Sequence, residues 1–184
     1  MHLVHSHNEN ILQCVDTIFA AIYFREYDGN SIASKQLAKY LLRQYLQVEV
    51  IDGRLSSNKY GKPYFLAYPE FYFSISHAKG ILVGACADYP IGIDIEPIRK
   101  ANLSIIRKFF SQEEKDYVYS YKELINFRFT EIWTLKEAYL KCIGTGWTVP
   151  IFVFNVLEMA RPDFRFETIL INKHMLSICC RLSD

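Results

Sequence analysis

Two short segments limit what this chain can fold into more than any others. They are Gly92-Ile93-Asp94-Ile95-Glu96 and Trp133-Thr134-Leu135-Lys136-Glu137-Ala138-Tyr139-Leu140-Lys141. The first alternates apolar and acidic residues, which predicts a strand with Ile93 and Ile95 on one side and Asp94 and Glu96 on the other. The second predicts a helix in which Trp133, Glu137 and Lys141, spaced by four, lie roughly along one face. If strand and helix pack together, three carboxylates and an ammonium meet in one small space. Carboxylate oxygens suit a hard cation such as Mg²⁺, which keeps waters and also takes phosphate oxygens. Lys141 beside them would meet a negatively charged substrate.

Composition decides which broad classes remain. The chain has 184 residues, enough for one domain or two small halves sharing a core. It is 51% hydrophobic, with 13 Tyr and 13 Phe, so it can bury a core and is not expected to be disordered. Lys+Arg number 21 against 20 Asp+Glu, a net charge of +1, which argues against a nucleic-acid binder held by bulk charge. No apolar run reaches the length of a membrane-spanning helix, so no membrane association is expected. His2, His5, His7, Asn8 and Glu9 do not read as a secretion signal. Five cysteines, Cys14, Cys86, Cys142, Cys179 and Cys180, include no CxxC pair, and most sit in apolar segments. Reduced core thiols in a cytoplasmic protein are the expectation.

The rest of the pattern predicts helices and hairpins. Ile11, Val15, Ile18, Phe19 and Ile22 recur at helical spacing, and so do Leu37, Leu41, Leu42, Tyr45 and Leu46. Val48 to Ile51 reads as a short strand, and Ser56-Ser57-Asn58-Lys59 as a polar loop leading into Tyr60-Gly61-Lys62-Pro63. Tyr72 to Ser76, Ile81 to Ala87 and Ile91 to Glu96 read as three strands of an antiparallel meander. A helix is expected near Ser104 to Phe109. Ser111 and Glu114 have capping-box spacing for the next one, and Gly144 is placed to end the Trp133 helix. Phe152 to Leu157, Arg165 to Ile171 and Met175 to Leu182 read as strands. The expected class is α+β.

Each signal has a plain structural alternative. Asp94 and Glu96 could be a solvated strand face, and Glu137 with Lys141 an ordinary surface pair. Trp133 is more often core than ligand contact, and Ser76-His77 could be hydrogen bonding at a strand end. Gly61-Lys62-Pro63 lacks the glycine count of a Walker loop. The histidines near the N-terminus read as a loose terminus before they read as metal ligands.

In order along the chain stand Gly61-Lys62-Pro63, Phe73-Ser74-Ile75-Ser76-His77, Gly92-Ile93-Asp94-Ile95-Glu96, Phe109-Phe110-Ser111 with Glu114, and Trp133 to Ala138 with Lys141, Gly144 and Gly146. This series, from Tyr60 to Pro150, closely resembles the Sfp-type 4′-phosphopantetheinyl transferases. The resemblance implies an α+β pseudo-dimer of two similar halves, 1–90 and 91–184, with the active site between them, in a monomer. It implies transfer of the 4′-phosphopantetheine group from coenzyme A to a serine of an apo acyl or peptidyl carrier protein, with Mg²⁺, releasing adenosine 3′,5′-bisphosphate.

By the same resemblance Asp94, Glu96 and Glu137 correspond to magnesium ligands. Lys141 corresponds to the lysine on the pyrophosphate, and Ser76 and His77 to contacts with coenzyme A phosphates, His77 with the 3′-phosphate. Lys62 and Pro63, with the Gly61 backbone, correspond to the segment beside the nucleotide. Glu137 corresponds to the proposed base, directly or through a water, and Glu114 to a further participant. Asp94, Glu137 and Lys141 thus form the expected catalytic set.

Two positions depart from the family pattern. Basic residues near the second helix are replaced by Gly29-Asn30-Ser31, with Arg25 and Lys35 nearby, and Trp147 stands where many relatives have leucine. The aromatic segment from Ser111 to Arg128, with Lys115 and Lys122, is an expected carrier-docking surface. Another Mg²⁺-dependent phosphotransferase, or a non-catalytic coenzyme A or carrier-binding module, would share part of this pattern.

Overall fold

The computed structural model describes residues 2–6, 9–13, 19–23, 31–47, 52–148, 154–158 and 163–182. The first part of the chain forms β1 (His2–Ser6), β2 (Glu9–Gln13), β3 (Phe19–Tyr23), α1 (Ser31–Leu46), β4 (Leu55–Ser57), β5 (Pro63–Phe65), β6 (Tyr72–Ala78) and β7 (Ile81–Ala87). The second part forms β8 (Ile91–Pro97), α2 (Leu103–Phe109), α3 (Gln112–Tyr119), α4 (Ile125–Ile143), β9 (Phe164–Ile171) and β10 (His174–Arg181). Short 3₁₀ turns lie at Lys122–Leu124 and Gly146–Thr148. The strands make a five-stranded sheet in the order β1-β2-β3-β7-β6, a three-stranded sheet β8-β10-β9 and a hairpin β4-β5. Every pairing is antiparallel, and with the helices this gives the expected α+β class.

The sheets are built by alternation. In β7, Ile81, Val83, Ala85 and Ala87 face inward, as do Ile91, Ile93 and Ile95 of β8 and Leu176, Ile178 and Cys180 of β10. These residues form one apolar layer between the two sheets. The other face of β7 presents Leu82 and Cys86, which pack with Phe73 and with Leu37, Ala38, Leu41 and Leu42 of α1. On the far side, α4 lies over β8 and β10, where Ala138 and Cys142 meet Cys179. The layers therefore run α1, large sheet, small sheet, α4. The four cysteines within the described residues are buried free thiols.

Four sequence expectations need correction. The helical spacing from Ile11 to Ile22 gives no helix over the described residues there. Instead β2 and β3 pair antiparallel, and β3 goes on to pair with β7, Ala21 opposite Gly84. Short apolar runs fit both periods, and here the sheet edge wins. Ser56 and Ser57 belong to β4, paired with β5, not to a loop. The meander stops after β7, because β8 pairs with β10 instead, Ser177 opposite Asp94. Residues 154–157 are turn and coil, not strand. The expected strand Val48 to Ile51, the basic-replacement segment from Arg25 to Asn30, and the start of the Phe152 segment lie outside the described residues.

The serines of β6 explain why β8 can leave the first sheet yet stay beside it. Ser74 Oγ accepts a hydrogen bond from Ile93 N–H at 3.1 Å, and Ser76 Oγ accepts one from Ile95 N–H at 3.3 Å. Side chains thus satisfy the edge of β8 that β10 does not pair. On the other side, Gly92 lets α4 approach closely. A Cβ there would stand 1.9 Å from Ala138 O and 2.3 Å from Cys142 N. Gly92→Ala should push α4 off the strand and cost at least about 1–3 kcal/mol, as overpacking of a tight core does. Urea unfolding checks this, and an unchanged midpoint would contradict it.

Candidate active site

Close packing of α4 on β8 brings the two opening motifs together. Asp94 is 5% exposed and Ser76 6%. Ser76 Oγ donates to Asp94 Oδ1 at 2.8 Å. Lys141 Nζ donates to Asp94 Oδ1 at 2.7 Å and to Ser76 Oγ at 2.9 Å. A carboxylate, a hydroxyl and an ammonium from three elements thus close a triangle. Asp94 Oδ2 is buried and has no hydrogen-bond partner. A buried carboxylate oxygen left unpaired is costly, so a site that keeps one invites a donor or a cation.

Glu96 and Glu137 stand close enough to Asp94 to feel its charge. Burial, then the negative charge of Asp94, raises the Glu137 carboxyl to about 7; Lys141 opposes the rise and Glu96 adds to it. Burial and Asp94 also raise Glu96, against Arg99, Lys141 and a hydrogen bond from Trp133. Arg99 lies 3.9 Å from Glu96. Clustered carboxylates with raised pKa values are found where a cation or a proton is handled. Among the described residues, no group of three or more His, Cys, Asp or Glu side chains is gathered as a ready metal cluster. Lys141, seated on Asp94, holds the nearest cationic position.

The shift at Glu137 has a thermodynamic consequence in the metal-free protein. Its pKa rises from an ordinary 4.5 to about 7 on folding. Between those values the folded state binds more protons than the unfolded state. Stability therefore falls as pH rises through that window and levels off above it. Glu137→Gln removes this loss, so at pH 8 the variant should be more stable than wild type by about 2–3 kcal/mol, with no such gain at pH 4. Equal pH slopes for the two proteins in chemical denaturation would contradict the shift.

Beside the triangle lies a cavity of about 260 Å³. It is lined by Tyr60, Gly61, Lys62 and Pro63, by Ser74 and Ile75, and by Glu137, Lys141, Gly146 and Trp147 among others. Lys62 reaches it only in part. Its Nζ donates to Ile91 O at 3.1 Å and Cys142 O at 3.0 Å, tying the start of β8 to the end of α4. Desolvation lowers its pKa. The cavity therefore meets the Gly61-Lys62-Pro63 strip mainly through its backbone and stems. Gly144, at φ +68°, closes α4 with its N–H on Leu140 O.

The structure distributes the other sequence candidates differently. His77 follows Ser76 on β6, so it falls on the opposite strand face, and it is exposed. Glu114 makes the expected capping box with Ser111. Its carboxylate is fully buried, on Lys136 Nζ at 2.9 Å and Val156 N–H at 2.9 Å. Glu114 is therefore committed to packing, which corrects its reading as a participant in the chemistry. In the aromatic segment, Phe110 is core and Tyr117 donates to Glu131, while Tyr119, Tyr121, Lys122 and Leu124 are exposed. Sequence reasoning missed Lys136, whose lysine on the apolar side of α4 was the available signal. It also missed the edge-capping role of Ser74.

Residues 90–183 match the family model of the 4′-phosphopantetheinyl transferase superfamily. The chain is similar to 4′-phosphopantetheinyl transferase ffp of Bacillus subtilis, 32% identical over 73% of this chain and 60% of that protein. It is 31% identical to 4′-phosphopantetheinyl transferase Sfp of Bacillus subtilis (strain 168) over the same shares. It is 38% identical to 4′-phosphopantetheinyl transferase gsp of Aneurinibacillus migulanus, over 64% of this chain and 51% of that one. The chain thus spans between about half and three-fifths of the length of these relatives.

Proposed function

The chain belongs to the 4′-phosphopantetheinyl transferase superfamily, and from that premise we propose that it moves the 4′-phosphopantetheine group of coenzyme A onto a serine of an apo acyl or peptidyl carrier protein. The observation that carries this reading is the Ser76–Asp94–Lys141 triangle with Glu137 and Glu96 around it, beside a cavity that Lys141 and Glu137 line. Family membership supplies the reaction class, and the triangle supplies groups suited to a charged phosphoryl centre.

The donor set fits Mg²⁺. Asp94 Oδ2 is buried without a partner, and its negative charge helps burial to raise the pKa of both Glu96 and Glu137, with Glu96 adding to the rise at Glu137. Asp94, Glu96 and Glu137 would hold the cation, all through oxygen, as a hard ion requires. When bound, it would supply charge neutralisation at the pyrophosphate.

The remaining work belongs to the chain's own residues. Lys141, which donates to Asp94 and Ser76, would hold the pyrophosphate while charge builds on the leaving nucleotide. The Ser76 hydroxyl, fixed by Ile95 N–H and Lys141, orients Asp94. Glu137, directly or through a water, would take the proton of the carrier serine. The Gly61-Lys62-Pro63 strip borders the nucleotide. His77, exposed at the end of β6, is the nearer candidate for the 3′-phosphate.

We further read the chain as two halves, 1–90 and 91–184, forming a monomeric pseudo-dimer. Each half owns a sheet covered by a long helix: β1-β2-β3-β7-β6 under α1, and β8-β10-β9 under α4. No helix among the described residues is long and apolar enough to cross a membrane, in keeping with a cytoplasmic enzyme. The assay that tests this function follows adenosine 3′,5′-bisphosphate release from coenzyme A with and without an apo carrier. Release that needs both the carrier and Mg²⁺ supports transfer. Release without a carrier would make the chain a nucleotide hydrolase instead.

A further inference from the structure

The turn of the β4-β5 hairpin runs from Asn58 to Lys62. One side chain shapes it from within. Asn58 Oδ1 accepts from Tyr60 N–H and from Lys62 N–H, both at 2.9 Å, as an asparagine does when it folds its own turn. The backbone closes it, with Asn58 N–H on Lys62 O at 2.9 Å and Gly61 N–H on Asn58 O at 3.0 Å. The two ends of the turn then reach α4. Asn58 Nδ2 donates to Gly144 O at 2.8 Å, and Lys62 Nζ donates to Cys142 O at 3.0 Å and to Ile91 O of β8 at 3.1 Å. Cys142 lies in the last turn of α4 and Gly144 is its cap. The last carbonyls of a helix have no partner inside it and carry the negative end of its dipole. An amide N–H and an ammonium supply what that helix end lacks.

This clasp stands between two cavities. Lys62 and Gly144 line the cavity beside the Ser76–Asp94–Lys141 triangle, and both also line a second cavity of about 260 Å³, together with Asn58. The fit between them is close, since a Cβ on Gly144 would stand 2.9 Å from Lys62 Cδ. Tyr60, Gly61 and Pro63, which wall the first cavity, are exposed, so packing does little to hold them. Hydrogen bonds to the end of α4 do that work. Lys141 is held separately, by Asp94 and Ser76.

We propose that Asn58 and Lys62 are positioning residues for coenzyme A: together they fix the Tyr60–Pro63 wall against the end of α4, and the Lys62 ammonium acts on carbonyls and not on a phosphate. This rests on the transferase reading, in which that strip borders the nucleotide. A wall held in advance needs less ordering when the ligand arrives, so the clasp acts on affinity. The chemical step belongs to the triangle and its carboxylates, which keep their own contacts.

Steady-state transfer with coenzyme A varied at saturating apo carrier and Mg²⁺, together with calorimetric binding of coenzyme A, tests it. Asn58→Ser keeps an oxygen for the turn but is too short to reach Gly144 O. It should raise both KM and Kd for coenzyme A by about 3- to 10-fold, the worth of one net hydrogen bond, with kcat within about twofold of wild type. Lys62→Met keeps the stem and drops the ammonium. It should weaken coenzyme A by a similar factor, and affinity should fall with added salt as steeply as in wild type, because no phosphate contact has gone. A flatter salt dependence for Lys62→Met would make the ammonium a phosphate contact and overturn the proposal. A drop in kcat that follows the folded fraction, with KM unchanged, would make the clasp merely structural and overturn it as well. Wild-type KM and Kd in both variants would do the same while leaving the transferase reading intact. Wild-type protein that neither binds coenzyme A nor modifies a carrier would remove the transferase reading, and the clasp's role with it.

Discussion

Asp94→Asn should lower the rate of phosphopantetheine transfer by about 10²- to 10³-fold, the usual cost of removing one preorganised electrostatic group from a transition state. The substitution keeps the shape of the side chain and one oxygen for Ser76. It removes the negative charge that seats Lys141 at 2.7 Å, and it removes the carboxylate whose second oxygen is buried without a partner. Lys141 then loses its fixed place, and the hard-cation site loses its most buried donor. Binding of coenzyme A in the absence of metal should change much less than turnover, because Lys141 remains present. The measurement is initial rate against Mg²⁺ concentration for wild type and variant, with circular dichroism to show an intact fold. A variant with the wild-type rate would sink the role given to Asp94.

Lys136→Ala should be the most destabilising single change outside the active site. Lys136 and Glu114 are both 0% exposed, with Nζ and Oε2 at 2.9 Å. The ammonium also donates to Phe154 O at 2.6 Å, and the carboxylate accepts from Ser111 N–H at 2.8 Å and Val156 N–H at 2.9 Å. The pair therefore ties α3, α4 and residues 154–156 into one buried network. Burial lowers the pKa of Lys136, with Glu114 opposing that fall. Removing the lysine leaves a carboxylate stranded in the core, which costs about 3–5 kcal/mol. Against a total stability of about 5–15 kcal/mol this is a large fraction. Glu114→Met with Lys136→Met should recover much of the loss, since the cost lies in the unpaired charge more than in the missing bond. Urea unfolding of Lys136→Ala, of Glu114→Met and Lys136→Met singly, and of the double variant reads this directly. Single variants within about 0.5 kcal/mol of wild type would mean that the pair is not buried as described.

The two predictions also mark which parts of the molecule were legible from residues alone. Asp94 and Glu96 were readable because a strand forces alternation, and Glu137 with Lys141 because a helix repeats nearly every four residues. Their meeting was not readable from either period. It depends on Gly92, whose missing side chain admits Ala138 and Cys142 of α4, and on β10, which arrives far downstream to pair with β8. Local pattern favoured pairing of β8 with β7, and the long-range pairing of β8 with β10 overrode it.

Elsewhere a single pattern admitted two solutions. Ile11 and Phe19 to Ile22 suit a helix by spacing and strands by run length, and pairing of β3 with β7 settled the matter. Leu37 to Leu46 admitted only one, and α1 is where it was expected. Ser111 and Glu114 announced a helix start correctly, yet the second partner of Glu114 was hidden, because nothing in local spacing links it to Lys136. Ser76 entered as a ligand contact through family resemblance. Its hydrogen bond with Ile95 N–H, which holds β8 against β6, became visible only with the two strands side by side. Trp147 stood out in the sequence only as a departure from leucine, and its stacking on Trp133 depends on the turn at Gly144 and Gly146.

The central claim is that this chain attaches phosphopantetheine to a carrier serine using the Asp94–Ser76–Lys141 site. Intact-mass spectrometry of an apo carrier, incubated with the protein, coenzyme A and Mg²⁺, tests it most directly when run beside the same carrier with its acceptor serine changed to alanine. The expected result is a mass gain of one phosphopantetheine on the first carrier, none on the second, and none on either with the Asp94→Asn protein in the same time. An unmodified carrier across fatty-acid, polyketide and nonribosomal-peptide types, with the protein folded and coenzyme A bound, would contradict it.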